Sequence, residues 1–140
     1  MAGVSTSVRI GRRAGLLFAA ILLLLTACRQ QGTPVEVVQE FMAAIEQFDS
    51  AGAATRVCEA QQDRVQTILD AFGEEAGMKE AINLAFDKLA FEELSNDGEA
   101  AVVHVSGALV VSFLGHQERQ IVNEEHVVVH EQGHWVVCDP

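Results

Sequence analysis

The sequence predicts an α+β domain, with three N-terminal helices packed on a curved four-stranded antiparallel sheet. Three observations carry that expectation. Apolar residues recur at helical spacing from Val38 to Phe86. Beyond Asn96-Asp97-Gly98 the chain is rich in valine and falls into runs separated by turn residues. The helical and extended patterns are segregated along the chain rather than alternating, which is the order of an α+β domain and not of a βαβ one.

A leader precedes the domain. Arg9, Arg12 and Arg13 stand before the apolar run Ala14 to Leu25, which is too short to cross a bilayer as a stable helix and reads as a secretory signal. Its end, Leu25-Thr26-Ala27-Cys28, resembles the lipobox of bacterial lipoproteins. The resemblance implies that the Cys28 thiol is joined to diacylglycerol, that residues 1–27 are removed as a signal peptide, and that multiple acyl chains on Cys28 anchor the protein at the extracytoplasmic face of a bacterial membrane. Two or more chains suffice for stable anchoring, whereas one holds marginally. Residues 28–33 form a short linker that reaches roughly 20 Å when extended, so residues 34–140, read as a single domain, stay close to the membrane.

Without residues 1–27 the chain keeps 113 of its 140 residues, enough for one core and too few for two domains. The leader holds three of the nine Lys and Arg and no acid, so the mature chain sets 6 basic against 20 acidic residues, a formal charge of −14. Such a surface repels nucleic acid and anionic headgroups, so membrane attachment has to come from the lipid.

Thr33-Pro34-Val35-Glu36 reads as a helix start, with Thr33 as cap, Pro34 in the first turn and Glu36 completing a capping box. Val38, Phe41, Met42, Ile45 and Phe48 then form one apolar stripe. Asp49 to Gly52 interrupts it, with Ser50 as the expected cap of a second helix bearing Cys58, Val65, Ile68, Leu69 and Phe72 on its inner stripe. Gly73 to Gly77 is a turn, and Met78, Ile82, Ala85 and Phe86 predict a short third helix. Four strands follow near 88–95, 99–114, 117–131 and 134–138, joined by turns at Asn96-Asp97-Gly98, Gly115-His116 and Gln132-Gly133. Gly107 inside the second strand marks a bulge or bend.

This order of elements, over residues 34–138, resembles the nuclear-transport-factor-2-like (cystatin-like cone) family. Pro34-Val35-Glu36-Val37-Val38-Gln39-Glu40-Phe41 and Gly133-His134-Trp135-Val136-Val137-Cys138 look like the first helix and last strand of its small secreted lipoprotein members. The resemblance implies a concave sheet face, lined here by Phe41, Phe48, Phe72, Phe86 and Phe91, that is either a pocket for a small apolar ligand or filled core. Catalytic members place an acid or base in the cone, often beside a Tyr. This chain has no Tyr, and Asp63, Asp70 and Asp87 lie among solvated helix positions. The reading is therefore a lipid-anchored, non-catalytic binding or scaffolding module of the cell envelope, without cofactor, its partner an envelope protein or a small apolar ligand. The alternatives are a carrier of such a ligand, and a small isomerase or hydrolase using a cone carboxylate.

All five histidines, His104, His116, His126, His130 and His134, fall in the C-terminal half. His126 and His130 flank Val127-Val128-Val129, a β-branched run that favours a strand. Four strand residues span about 13 Å, too far for both rings to ligate one zinc at about 2 Å, so no metal is expected. Cys58 and Cys138 form an even pair in an exported chain and read as a disulfide. A two-residue Gln132-Gly133 turn sets Val129 opposite Val136 and Val127 opposite Cys138, which predicts Cys138 on one apolar face with Val127, Val129 and Val136, meeting Cys58 between helix and sheet.

Overall fold

The computed structural model describes residues 32–74 and 81–139; the leader, Cys28 and most of the linker lie outside them, as does Met78. Helix α1 (Pro34–Glu46) starts as its sequence dictates. The Thr33 hydroxyl accepts the Glu36 N–H at 3.2 Å and the Glu36 carboxylate accepts the Thr33 N–H at 2.8 Å, satisfying two end-of-helix donors at once. Val37, Val38 and Met42 form the buried side of the helix. Phe48 adopts a left-handed conformation, φ 53°, and turns the chain into the five-residue helix α2 (Ser50–Ala54). Asp49, not Ser50, is the cap: its carboxylate accepts the Gly52 N–H at 2.9 Å.

The expected second helix is thus two helices, and Cys58 belongs to neither. Helix α3 (Glu59–Glu74) begins one residue later. Between them Thr55 and Arg56 turn the chain and Val57 runs beside β4, because Arg56 C=O accepts the Val137 N–H at 2.8 Å and Val137 C=O accepts the Cys58 N–H at 2.9 Å. Val57 makes a parallel bridge with Val137, so a β-branched residue adds a fifth rung to the sheet where helical periodicity predicted a continuous helix.

The predicted third helix is also corrected. Ile82 to Phe86 open strand β1 (Ile82–Asn96), which pairs antiparallel with β2 (Ala100–Phe113), then β3 (His116–Glu131) and β4 (His134–Val137) in the order β1-β2-β3-β4. Leu84 explains the misreading: it is off the helical stripe of Ile82, Ala85 and Phe86, but alternates with Ile82 and Phe86 on a strand, where they face Val111, Phe113 and Leu109 across the ladder. The last hairpin turn falls at Gln132-Gly133 as expected, whereas the first is Asp97-Gly98-Glu99, one residue late, because Asn96 still pairs with Ala101. The middle one is Leu114-Gly115, one residue early, with His116 already paired to Phe113.

Gly107 sits opposite a bulge, in β1 rather than in its own strand. The register slips between Asp87 and Ala90, Lys88 takes φ 53°, and Gly107 itself has φ 150°. A Cβ there would lie 2.8 Å from Leu89 Cδ2 and 3.0 Å from the Lys88 carbonyl, so only glycine fits. The slip restores parity: Ile82, Leu84 and Phe86 before it and Leu89 and Phe91 after it all face the side of Val105 and Leu109, which keeps a 15-residue strand apolar on one face while bending it.

The main core joins Val37, Val38 and Met42 of α1 to Val57, Ala101, Val103, Val105, Val122, Val128 and Val137. Since Val128 and Val137 point to α1, alternation sends Val127, Val129, Val136 and Cys138 to the opposite face. The predicted register holds, but the predicted face does not. Residues Gly32–Pro140 form one compact unit with its own core.

Candidate functional site

At the end of the sheet where β1 begins and β2 ends, the side chains stop closing on one another. Phe41, Ile45 and Phe48 of α1 and the turn after it, Val65, Ile68, Leu69 and Phe72 of α3, and Ile82, Leu84 and Val111 of the sheet line a cavity of about 430 Å³. The size suits a small organic ligand. Three of the five expected phenylalanines are in it; Phe86 and Phe91 pack against the main core instead. Alternation on β1 and helical spacing on α3 both lead to the mouth residues, but only the strand reading of Ile82 and Leu84 adds the sheet wall. Ile68 and Phe72 remain 46% and 47% exposed, unusual for large apolar side chains on a packed helix face. Every lining side chain is hydrocarbon, so the cavity offers water no hydrogen-bond partner and favours an apolar occupant.

A second feature is deeper. His126, 6% exposed, lies on the core face of β3 with Val128. Its Nδ1 is 2.8 Å from Asp139 Oδ2, while Asp139 Oδ1 accepts the Val127 N–H at 2.8 Å and the Asp139 carbonyl accepts from the Gln61 amide. The carboxylate therefore takes over where the β4 ladder ends. His126 Nε2 is buried without a hydrogen-bond partner, with Glu124 Oε2 at 3.9 Å and the Phe41 ring edge-on at 6.4 Å between centroids. The expected register already set Cys138 beside Val127, which places Asp139 next to His126; the signal was present and unread. Among the described residues no group of three or more His, Cys, Asp or Glu is arranged to hold a metal ion.

The carboxylates singled out in the sequence stand apart from the cavity. Asp63 is exposed on α3, Asp70 is half-buried, and Asp87 pairs with Arg119 at 2.7 Å on the other face of the sheet. His104 hydrogen-bonds Asn123 at 2.8 Å, and His130 packs edge-on against Trp135. Asp97, at the first hairpin turn, is held below the usual carboxylate range because the Ala100 and Glu99 N–H groups donate to it. Cys58 and Cys138 are bonded, with Cα atoms 5.2 Å apart and a separation of 80 positions along the chain. They are joined as neighbours on adjacent extended segments, on the face away from α1. Among the described residues no helix is long and apolar enough to cross a membrane.

No known family profile matches the sequence, and no curated protein matches it. Solved structures do. An NTF2-like protein with a cystatin-like fold from Novosphingobium aromaticivorans superposes with a TM-score of 0.58 at 11% identity, covering 87% of this chain and 84% of that one. A SEC-C motif-containing protein from Rhodopseudomonas palustris gives 0.52 at 16% identity over 83% of each chain. Aln2 from a Streptomyces species gives 0.51 at 16% identity, over 73% of this chain and 80% of its own. At such identities the likeness speaks for architecture and not for chemistry. The described domain has the NTF2-like, cystatin-like fold.

Proposed function

We propose that this chain is an exported bacterial lipoprotein, anchored by acylated Cys28, whose domain is a non-catalytic binding module taking a small apolar ligand in the open end of the cone. The observation that carries the binding reading is the cavity of about 430 Å³ lined by hydrocarbon alone. A ligand there gains by leaving water, at roughly 25 cal/mol per Å² of apolar surface buried. No lining residue is an acid, base or nucleophile, so the cavity binds without a group to move a proton. The Cys58–Cys138 disulfide fits an oxidising compartment, which supports export.

One observation favours a second reading, an isomerase or hydrolase: an imidazole steadied by a carboxylate is the arrangement of a general base, and His126–Asp139 has it. Its unpartnered Nε2 is buried and His126 does not line the cavity, which favours the binding reading.

Two experiments test the proposal. Fatty-acid labelling of the expressed chain is expected in wild type and absent in Cys28→Ser; equal labelling rejects the anchor. A soluble chain starting at Arg29 is expected to enhance the fluorescence of N-phenyl-1-naphthylamine, and the double substitution Ile68→Gln with Phe72→Gln to abolish the enhancement. Both side chains are about half exposed, so the fold tolerates the change. Enhancement that survives the double substitution rejects the cavity as the binding site.

A further inference from the structure

We infer that the open end of the cone docks on the lipid bilayer, inserting the tip of the β2–β3 hairpin and the exposed side chains of α3. The apolar ligand then enters the cavity from hydrocarbon and not through water; this rests on the binding reading above. Among the described residues six large apolar side chains stand exposed, and four of them gather at this one end. Ile68 and Phe72 line the cavity. Phe113, 45% exposed, is the ladder partner of the cavity residue Ile82 and lies two positions beyond Val111 on the same face of β2, so it carries the apolar wall past the mouth. Leu114 follows at the tip and is 74% exposed. The other two are Leu94, near the first hairpin, and Ile121, opposite Ala108 on the outer face of the sheet with Arg119.

Leu114 stands where its turn does not ask for it. The loop is Leu114-Gly115, with φ 48° and 84°, and a two-residue hairpin loop with positive φ at both positions favours Asn-Gly. A bulky side chain is rare on such a backbone, and this one leaves most of its surface in water. An apolar phase beyond the tip accounts for its placement.

The tether decides which apolar phase that is. Residues 28–33 reach roughly 20 Å, and α1 rises about 18 Å from Pro34 to Glu46. A chain leaving the start of α1 can therefore span the length of that helix, enough for the cavity end to touch the bilayer in which acylated Cys28 is held. The strongly acidic mature chain gains nothing from anionic headgroups, so the contact is made by apolar insertion. The anchor keeps the domain at the membrane, and the tip orients it.

The test uses a chain beginning at Cys28, coupled through that thiol to a maleimide lipid in phosphatidylcholine vesicles, which supplies the tether whether or not the cell acylates it. Cys58 and Cys138 are bonded to each other, which leaves Cys28 as the thiol to couple. In a Trp135→Phe background, the emission of Leu114→Trp is expected to shift to the blue and to be quenched by bromine on the lipid acyl chains. Ile121→Trp, at a position at least as exposed, should stay unquenched. Leu114→Asn suits a positive φ and is expected to leave the thermal melt unchanged or raised. It should nevertheless lower the binding of the Arg29-initiated chain to plain phosphatidylcholine vesicles about tenfold, through the loss of one inserted leucine. Quenching of both reporters alike, quenching of neither, or vesicle binding unaffected by Leu114→Asn overturns the inference and leaves the cavity standing. A blue shift already present before vesicles are added puts a second copy or residues 75–80 over the tip and overturns it as well. Naphthylamine enhancement by the uncoupled chain checks the binding reading separately: its absence overturns that reading, and ligand entry with it, even where quenching persists.

Discussion

The two ends of this sheet are built from different side chains and do different work. At the β4 end, small β-branched residues close completely: Val57, Val128 and Val137 are 1% exposed or less, the backbone of Arg56 to Cys58 is hydrogen-bonded to Val137, and the disulfide crosses between the same two segments. At the β1 end, large residues stand around space, and Ile68 and Phe72 keep nearly half their surface in water. Valine cores pack densely and exchange nothing. A ring of Phe, Ile and Leu around a cavity gives up packing contacts that a ligand would supply. Stability is therefore expected to reside at the closed end and binding at the open one.

The largest predicted effect breaks the closed end. Replacing Cys58 and Cys138 by Ala reopens a loop of 80 residues, for which chain entropy gives a loss of about 4.5 kcal/mol, an upper figure since residual structure in the unfolded chain lowers it. Urea unfolding measures it. By contrast, Ile68→Gln at the open end should shift stability by no more than about 0.5 kcal/mol. Comparable losses from the two would erase the distinction between the ends.

Next in size is the β1 bulge between them. Gly107→Val places a Cβ against Leu89 and the Lys88 carbonyl at a backbone conformation that side chains rarely adopt, with an expected cost of roughly 1–3 kcal/mol. A thermal melt unchanged from wild type would show that the bulge relocates freely. Asp139→Ala removes the partner of His126 Nδ1 and of the Val127 N–H, leaving buried groups unpaired at about 1–3 kcal/mol in all. Asp139→Asn, which keeps an acceptor, should recover part of the loss.

Much of the closed end was legible in the sequence, and the reasons are local. The Thr33–Glu36 capping box, the Gln132-Gly133 turn and the Val129–Val136 register follow from residues a few positions apart. The face of the disulfide was not legible, because Val127-Val128-Val129 and Val136-Val137 are apolar at both parities, so alternation cannot say which set meets the helices. Cys58 fits a helical stripe equally well until Val137 claims its backbone N–H. Ile82 to Phe86 satisfies a helical period and a strand period together, and the β2 partners decide between them. That one misreading hid the sheet wall of the cavity, so the sequence suggested phenylalanines for the site but assigned Phe86 and Phe91 to it in place of Ile82, Leu84 and Val111.

The smallest expected effect lies away from both ends. Asp97 has a folded-state pKa below its ordinary 3.8, so it contributes stability that is present above that value and lost as pH falls through the lowered one. Asp97→Ala should therefore lower Tm slightly at pH 7, with the difference from wild type vanishing at the acid end of the titration. A difference that grows toward low pH would reverse the sign of this contribution.

The division between a closed, stabilising end and an open, binding end is tested most directly by methyl NMR of the Arg29-initiated chain titrated with N-phenyl-1-naphthylamine. The account predicts saturable shifts at Ile45, Val65, Ile68, Leu69, Ile82, Leu84 and Val111, with Val38, Val57, Val103 and Val128 unmoved. Shifts spread evenly over both sets, or confined to the valine core, would contradict it.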